Sequence, residues 1–168
     1  MSTAAPSRPR PIQDRISIAI VASLFNDAYV QGLLDAGRDE LSELAPNATI
    51  TVFRVPGAFE IPVCAELALK STRPDAVVAF GVIIRGETEH GDLIAASVTD
   101  ALQSMAVRYC TPVVNQVLLV ENEEQAEARC FGAALNRGTE AARVAVNMIA
   151  LFKKMRASFA GQPEREDA

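Results

Sequence analysis

Aromatic side chains are scarce in this chain: none is tryptophan, and together they make up 5% of 168 residues. So few flat rings leave little from which to build the stacking platforms that hold single-stranded nucleic acid. The formal net charge of −5 opposes binding to a phosphate backbone as well. No apolar run approaches the roughly 20 residues that a membrane helix requires. The polar start, with Pro6, Pro9 and Pro11 around Arg8 and Arg10, lacks the apolar centre of a signal peptide. Cys64, Cys110 and Cys130 form no CxxC pair and no framework spacing, and with one histidine they fall short of a zinc ligand cluster. These absences predict a reduced, cytoplasmic protein with no metal, no membrane contact and no nucleic-acid partner.

Familiar nucleotide and nucleophile signatures are missing too. A dinucleotide fold wants GxGxxG after its first strand, but the residues there are Ser23-Leu24-Phe25-Asn26-Asp27. Neither the phosphate loop GxxxxGK[ST] nor the hydrolase elbow GxSxG occurs. The central strand ends Ile84-Arg85, where a receiver domain needs an aspartate.

What is present is an alternation of buried strands and helices. Hydrophobic residues make up 49% and charged residues 22%, the balance of one soluble domain. Residues 1–14 read as a disordered or extended tail, 15–156 as a single domain, and 157–168 as a polar tail. Residues 16–22 predict a first buried strand. Asn26 then stands as the N-cap of a helix reaching about Leu44, with Val30, Leu33, Leu34, Leu41 and Leu44 facing inward. Residues 49–55 read as a second strand and 61–70 as a short helix, with Pro62 in its first turn. The run 76–84 is Val- and Ile-rich without alternation, as in a strand covered on both faces. Helical spacing then runs from His90 to Tyr109, until Thr111-Pro112 stops it. Residues 113–120 form a fourth strand, 121–128 an acidic helical segment, and 139–155 a last helix. The middle of that helix is apolar almost all round, which predicts burial against another subunit. The sum is an α/β three-layer sandwich, a four-stranded parallel sheet flanked by helices and flavodoxin-like in outline.

In such sheets ligands bind outside the carboxyl ends of the strands. The loops 23–26, 56–60 and 85–90, and the turn near Glu121, should meet there. His90, the only histidine, stands where the third strand hands over to its helix. A lone histidine at a helix start is otherwise usually a surface or capping residue.

Five segments, in order, carry a resemblance: Phe25-Asn26, Gly57-Ala58-Phe59-Glu60-Ile61-Pro62, Gly81-Val82-Ile83-Ile84-Arg85-Gly86-Glu87-Thr88-Glu89-His90, Glu124-Gln125-Ala126 with Arg129, and Asn136-Arg137-Gly138. Together they strongly resemble the lumazine synthase family of riboflavin biosynthesis, over about residues 15–155. The resemblance implies condensation of 5-amino-6-(D-ribitylamino)uracil with L-3,4-dihydroxy-2-butanone 4-phosphate. The product is 6,7-dimethyl-8-ribityllumazine, with phosphate and water released and no cofactor or metal required. It further implies a homo-oligomer, a pentamer or an icosahedral shell of sixty subunits, with sites between neighbouring subunits and riboflavin synthase as a partner.

Residue by residue, the resemblance makes His90 the proton-transferring catalytic group, a task suited to an imidazole of ordinary pKa about 6.5. Phe25 becomes the ring that stacks on the pyrimidine, with Asn26 beside it. Gly57, Ala58, Phe59 and Glu60 become the ribityl-binding turn, and Val82, Ile83 and Ile84 the strand edge that touches the uracil. Gly86, Glu87, Thr88 and Arg129 become the phosphate site. The carboxylate of Glu87 must then point outward, leaving main-chain N–H groups and the Thr88 hydroxyl to bind. Read without the resemblance, Arg129 is a helical partner of Gln125 or Glu124, and Glu60 a first-turn dipole partner. Three positions depart from the family pattern: Asn115 replaces a second aromatic, Gly91 an aromatic after the histidine, and Arg137 a lysine. Two other readings compete, a non-catalytic shell-forming or flavin-binding paralogue and a generic flavodoxin-like binding module.

Overall fold

The computed structural model describes residues 6–132 and 136–160. Four strands, β1 (Ser17–Ser23), β2 (Thr49–Val55), β3 (Ala76–Ile84) and β4 (Val113–Val120), form one parallel sheet in the order β2-β1-β3-β4. Among the described residues five helices connect or follow them: α1 (Asp27–Leu44), α2 (Ile61–Ser71), α3 (His90–Tyr109), α4 (Glu123–Cys130) and α5 (Arg137–Phe159). A single turn of 3-10 helix, Ala58–Glu60, precedes α2.

The layering follows from handedness. Parallel crossovers are right-handed, so a connection that reverses direction across the sheet puts its helix on the opposite face. The chain steps one way from β1 to β2, then turns back past β1 to β3 and on to β4. Accordingly α1, with α4 and α5, covers one face, while α2 and α3 cover the other. The strand residues alternate between these faces as the pleat requires. Ile18, Ile20, Val78 and Phe80 pack under α1 and α5, whereas Ala19, Val21, Val77 and Ala79 pack under α2 and α3. Both sets are apolar because both faces are covered, which is why β1 and β3 read as unbroken hydrophobic runs.

Several helix starts differ from the sequence reading. The α4 helix begins after Asn122, whose Oδ1 accepts from Gln125 N at 3.0 Å. The α5 helix begins two residues earlier than its periodicity suggests, because Asn136 Oδ1 accepts from Gly138 N at 2.8 Å. Residues 6–14, read as part of a tail, have no regular secondary structure and run beside α1 and α5. Ile12 N donates to Leu44 O, and Arg8 bonds to Glu40 and Glu43. The rest of the expected tails, 1–5 and 161–168, lies outside the described residues, as do 133–135.

Candidate active site

The reversal between β1 and β3 opens a crevice at their carboxyl ends, the topological switch point of the sheet. Its first wall is the loop after β1. Leu24 N donates to Val55 O at 2.8 Å and Phe25 N to Pro56 O at 3.0 Å, which lays this loop against the end of β2. Asn26 takes a left-handed backbone conformation, φ 58°, that Asn tolerates better than most residues. Its side chain makes no cap to α1. Instead Nδ2 crosses the crevice and donates to Val82 O at 2.8 Å. The capping role expected for the Asn26 side chain is therefore replaced by a strap to β3. Phe25, in turn, is thrown outward and stands 71% exposed.

The second wall is the turn of Gly57, Ala58, Phe59 and Glu60. The Glu60 carboxylate folds back over Gly57: a β-carbon at position 57 would lie 2.9 Å from Glu60 Oε2. The third wall runs from Val82, Ile83 and Ile84 through Gly86 and Thr88 to His90, the first residue of α3. Arg85 holds this turn in shape. Its guanidinium donates through Nε to Asp92 at 3.1 Å and through Nη1 to Glu121, which joins the ends of β3, α3 and β4. The hydrogen bond to Asp92 is the main reason its pKa is raised further, keeping it cationic. Among the described residues no side chain caps α3, which leaves its first N–H groups able to meet an anion.

These walls enclose a cleft of about 1040 Å³. Phe25, Asn26, Gly57, Ala58, Phe59, Glu60, Val82, Ile83, Ile84, Gly86, Thr88 and His90 all line it, together with Pro56, Gly91, Leu93, Ile94 and Ser97. Leu93, Ile94 and Ser97 follow His90 by three, four and seven residues, so helical spacing from the histidine was the signal that could have found them. Glu87, Asn115 and Arg129 are not among the lining residues. Glu87 is exposed on the turn. Asn115 lies in β4 opposite Ala79, its amide donating to Thr99 Oγ1 at 3.1 Å and accepting from Val117 N at 3.0 Å. Arg129 lies in α4 and donates to Gln125 O at 2.9 Å. Its neighbour Cys130 is a free thiol that burial pushes up to about 11, so it stays protonated and inert near neutral pH. A second, smaller hollow at the amino edge of the sheet, beside Arg73, Asp75 and Tyr109, holds none of the candidate residues.

Among the described residues, no three His, Cys, Asp or Glu side chains gather as metal ligands, and no helix is long and apolar enough to cross a membrane. What the cleft offers instead is one imidazole, one carboxylate, an aromatic face and a row of backbone donors. That set suits proton transfer on a flat, hydroxylated, anionic group of reactants.

Comparison with known proteins shows the family. The family model described as 6,7-dimethyl-8-ribityllumazine synthase matches residues 15–153. A protein of that name from Chlorobium phaeobacteroides is 42% identical over 137 residues, 81% of this chain and 88% of its own. Its namesakes in Chromobacterium violaceum and Coxiella burnetii are 41% and 39% identical, covering 84% and 85% of this chain and 89% and 95% of theirs. The chain belongs to the 6,7-dimethyl-8-ribityllumazine synthase family.

Proposed function

We propose that this single-domain protein, with its domain spanning 15–156, joins 5-amino-6-(D-ribitylamino)uracil to L-3,4-dihydroxy-2-butanone 4-phosphate in the cytoplasm, releasing phosphate and water. The observation that carries the reading is the convergence of Phe25, Glu60 and His90, distant in sequence, on one cleft at the switch point.

Attack of the pyrimidine amine on the ketone moves a proton from nitrogen to oxygen, and dehydration to the imine needs that oxygen protonated again. Loss of phosphate then requires a proton taken from the adjacent carbon. An imidazole is the side chain type suited to both giving and taking a proton, and among the cleft-lining residues His90 is the one that carries it. Thr88 and the N–H groups from Gly86 to His90, Glu87 included, receive the phosphate at the start of α3. Phe25 presents its face to the pyrimidine. Asn26 keeps that loop strapped to the strand whose Val82, Ile83 and Ile84 border the ring. Glu60 and the Gly57–Phe59 backbone take the ribityl hydroxyls.

Arg129 and Asn115 complete the cleft of an adjacent copy in a pentamer or a sixty-subunit shell. The place of β4 at an edge of the sheet among the described residues, and the exposed Leu151, Met155 and Phe159 at the end of α5, support an interface between copies. Riboflavin synthase, which consumes the product, is the expected protein partner. The test is direct: mix the purified protein with both substrates and follow lumazine fluorescence. A rate well above the spontaneous condensation is expected, and a rate equal to it overturns the reading.

A further inference from the structure

β2 carries, one residue before its end, a guanidinium that reaches back over the neighbouring strand. Arg54 pairs in register with Ala22. Its Nη2 donates to Ser23 O at 3.0 Å and to the Asp27 carboxylate, and its Nη1 donates to Gln31 Oε1 at 3.0 Å. Ser23 closes β1 and Asp27 opens α1, so one side chain grips both ends of the loop that carries Leu24, Phe25 and Asn26. The Arg54 Nε is buried and finds no partner among the described residues, a desolvation cost that an ordinary surface ion pair does not incur. A lysine would avoid that cost, but its single point charge cannot span a carbonyl, a carboxylate and an amide at once.

We infer that Arg54 is a positioning residue, which sets the affinity for the flat heterocyclic reactant by fixing the direction in which Phe25 projects. The inference rests on the proposed reading, in which Phe25 stacks on the pyrimidine. Phe25 is mostly exposed, so little packing aims its ring, and its direction is inherited from the backbone beneath it. That backbone is tied by Leu24 N and Phe25 N to the end of β2 and by Asn26 to Val82 O. Arg54 closes the remaining side, between β1 and α1. None of these hydrogen bonds reaches the phosphate-binding turn, so its influence should be confined to one of the two substrates.

The experiment is steady-state kinetics on Arg54→Met, which keeps the stem, and Arg54→Lys, which keeps the charge, with each substrate varied in turn. Arg54→Met should raise KM for the pyrimidine about tenfold, leave KM for the phosphorylated ketone within about twofold and change kcat little. Arg54→Lys should not rescue it. In a Phe25→Ala background the same substitution should have no further effect on the pyrimidine KM, since the ring it aims is gone. Should Arg54→Met fold poorly, Asp27→Asn loosens one grip and should shift the pyrimidine KM about threefold in the same direction. An unchanged pyrimidine KM, equal rises in both KM values, or full additivity with Phe25→Ala would overturn the inference. Titrating 6,7-dimethyl-8-ribityllumazine into wild type and Arg54→Met separates the two levels. An inactive wild type refutes the proposed activity. Equal product affinity in the two proteins refutes the positioning role alone.

Discussion

His90 is exposed and heads its helix, so its ring is held by the backbone below it rather than by surrounding side chains. Removing the imidazole should therefore affect chemistry and not folding. His90→Ala is expected to lower kcat by about 10²-fold, or less where solvent substitutes, with KM little changed. Its urea midpoint should correspond to a stability within about 0.5 kcal/mol of wild type. Initial rates beside an unfolding curve check both halves, and an unaltered kcat removes His90 from the reaction. Asn26 shows how the same residue type can serve another end. Its position before α1 is that of a cap, yet the left-handed backbone turns its amide away from the helix and towards Val82 O. Nothing local in the sequence announces that turn, because the partner lies on a strand far along the chain.

At the level of elements, the strands are the most legible parts of the sequence. A parallel sheet covered on both faces needs apolar residues at successive positions, and the Ala76–Ile84 run shows this directly. Helix starts are less legible, since Asn122 and Asn136 set them through side-chain hydrogen bonds that periodicity does not encode. Much of the cleft lining was legible through the motifs around Gly57 and His90, while Leu93 and Ser97 follow only from helical spacing after the histidine. Arg54 was not legible at all, since only the strand register brings it beside Ser23. One close backbone contact between elements is also beyond what periodicity reveals. Where α5 crosses α1, a β-carbon on Gly138 would lie 2.0 Å from Leu33 O. The two backbones touch there, so Gly138→Ala must force the helices apart. The expected loss is about 3 kcal/mol, the upper end for overpacking, because the atom in the way is backbone and not a movable side chain. Gly86→Ala, with nothing within 4 Å of the added carbon, should leave stability within about 0.5 kcal/mol. Denaturant unfolding of the two variants reads the contrast, and equal stabilities would refute the crossing argument.

Across the whole molecule, Glu40 gathers the N-terminal segment, α1 and α5 around one carboxylate, accepting from Arg143 at 2.8 Å and from Arg8 at 3.0 Å. Burial alone would raise its pKa, but the two guanidinium groups outweigh burial and hold it below the usual carboxylate value. A carboxyl depressed in the folded state stabilises the protein above its unfolded pKa of about 4 and loses that contribution as pH falls through the folded value. Glu40→Gln should cost about 1–2 kcal/mol at neutral pH and flatten the acid limb of the stability curve below about pH 4. Urea midpoints across that range test it, and parallel curves for the two proteins would refute it. Larger still is the scale on which the exposed apolar residues make sense. Phe59, in the turn before α2, and Val63 and Leu67 on α2 stand exposed at intervals of four residues, and Leu151, Met155 and Phe159 do the same at the end of α5. Stripes of this kind on a free chain mark surfaces awaiting a partner, and β4 adds a sheet edge that is unpaired among the described residues. If adjacent copies supply Arg129 to the cleft that holds His90, then His90→Ala and Arg129→Ala damage opposite sides of the same shared site. Co-expressing the two inactive or weakened variants should restore sites that take His90 from one chain and Arg129 from its neighbour. Random mixing in a ring makes about a quarter of the sites whole. Activity measured at low substrate should therefore recover towards about a quarter of the wild-type rate, far above the mean of the separately purified variants. Recovery no greater than that mean would put both groups in the same chain's site, and the cleft would then have to be complete within one copy.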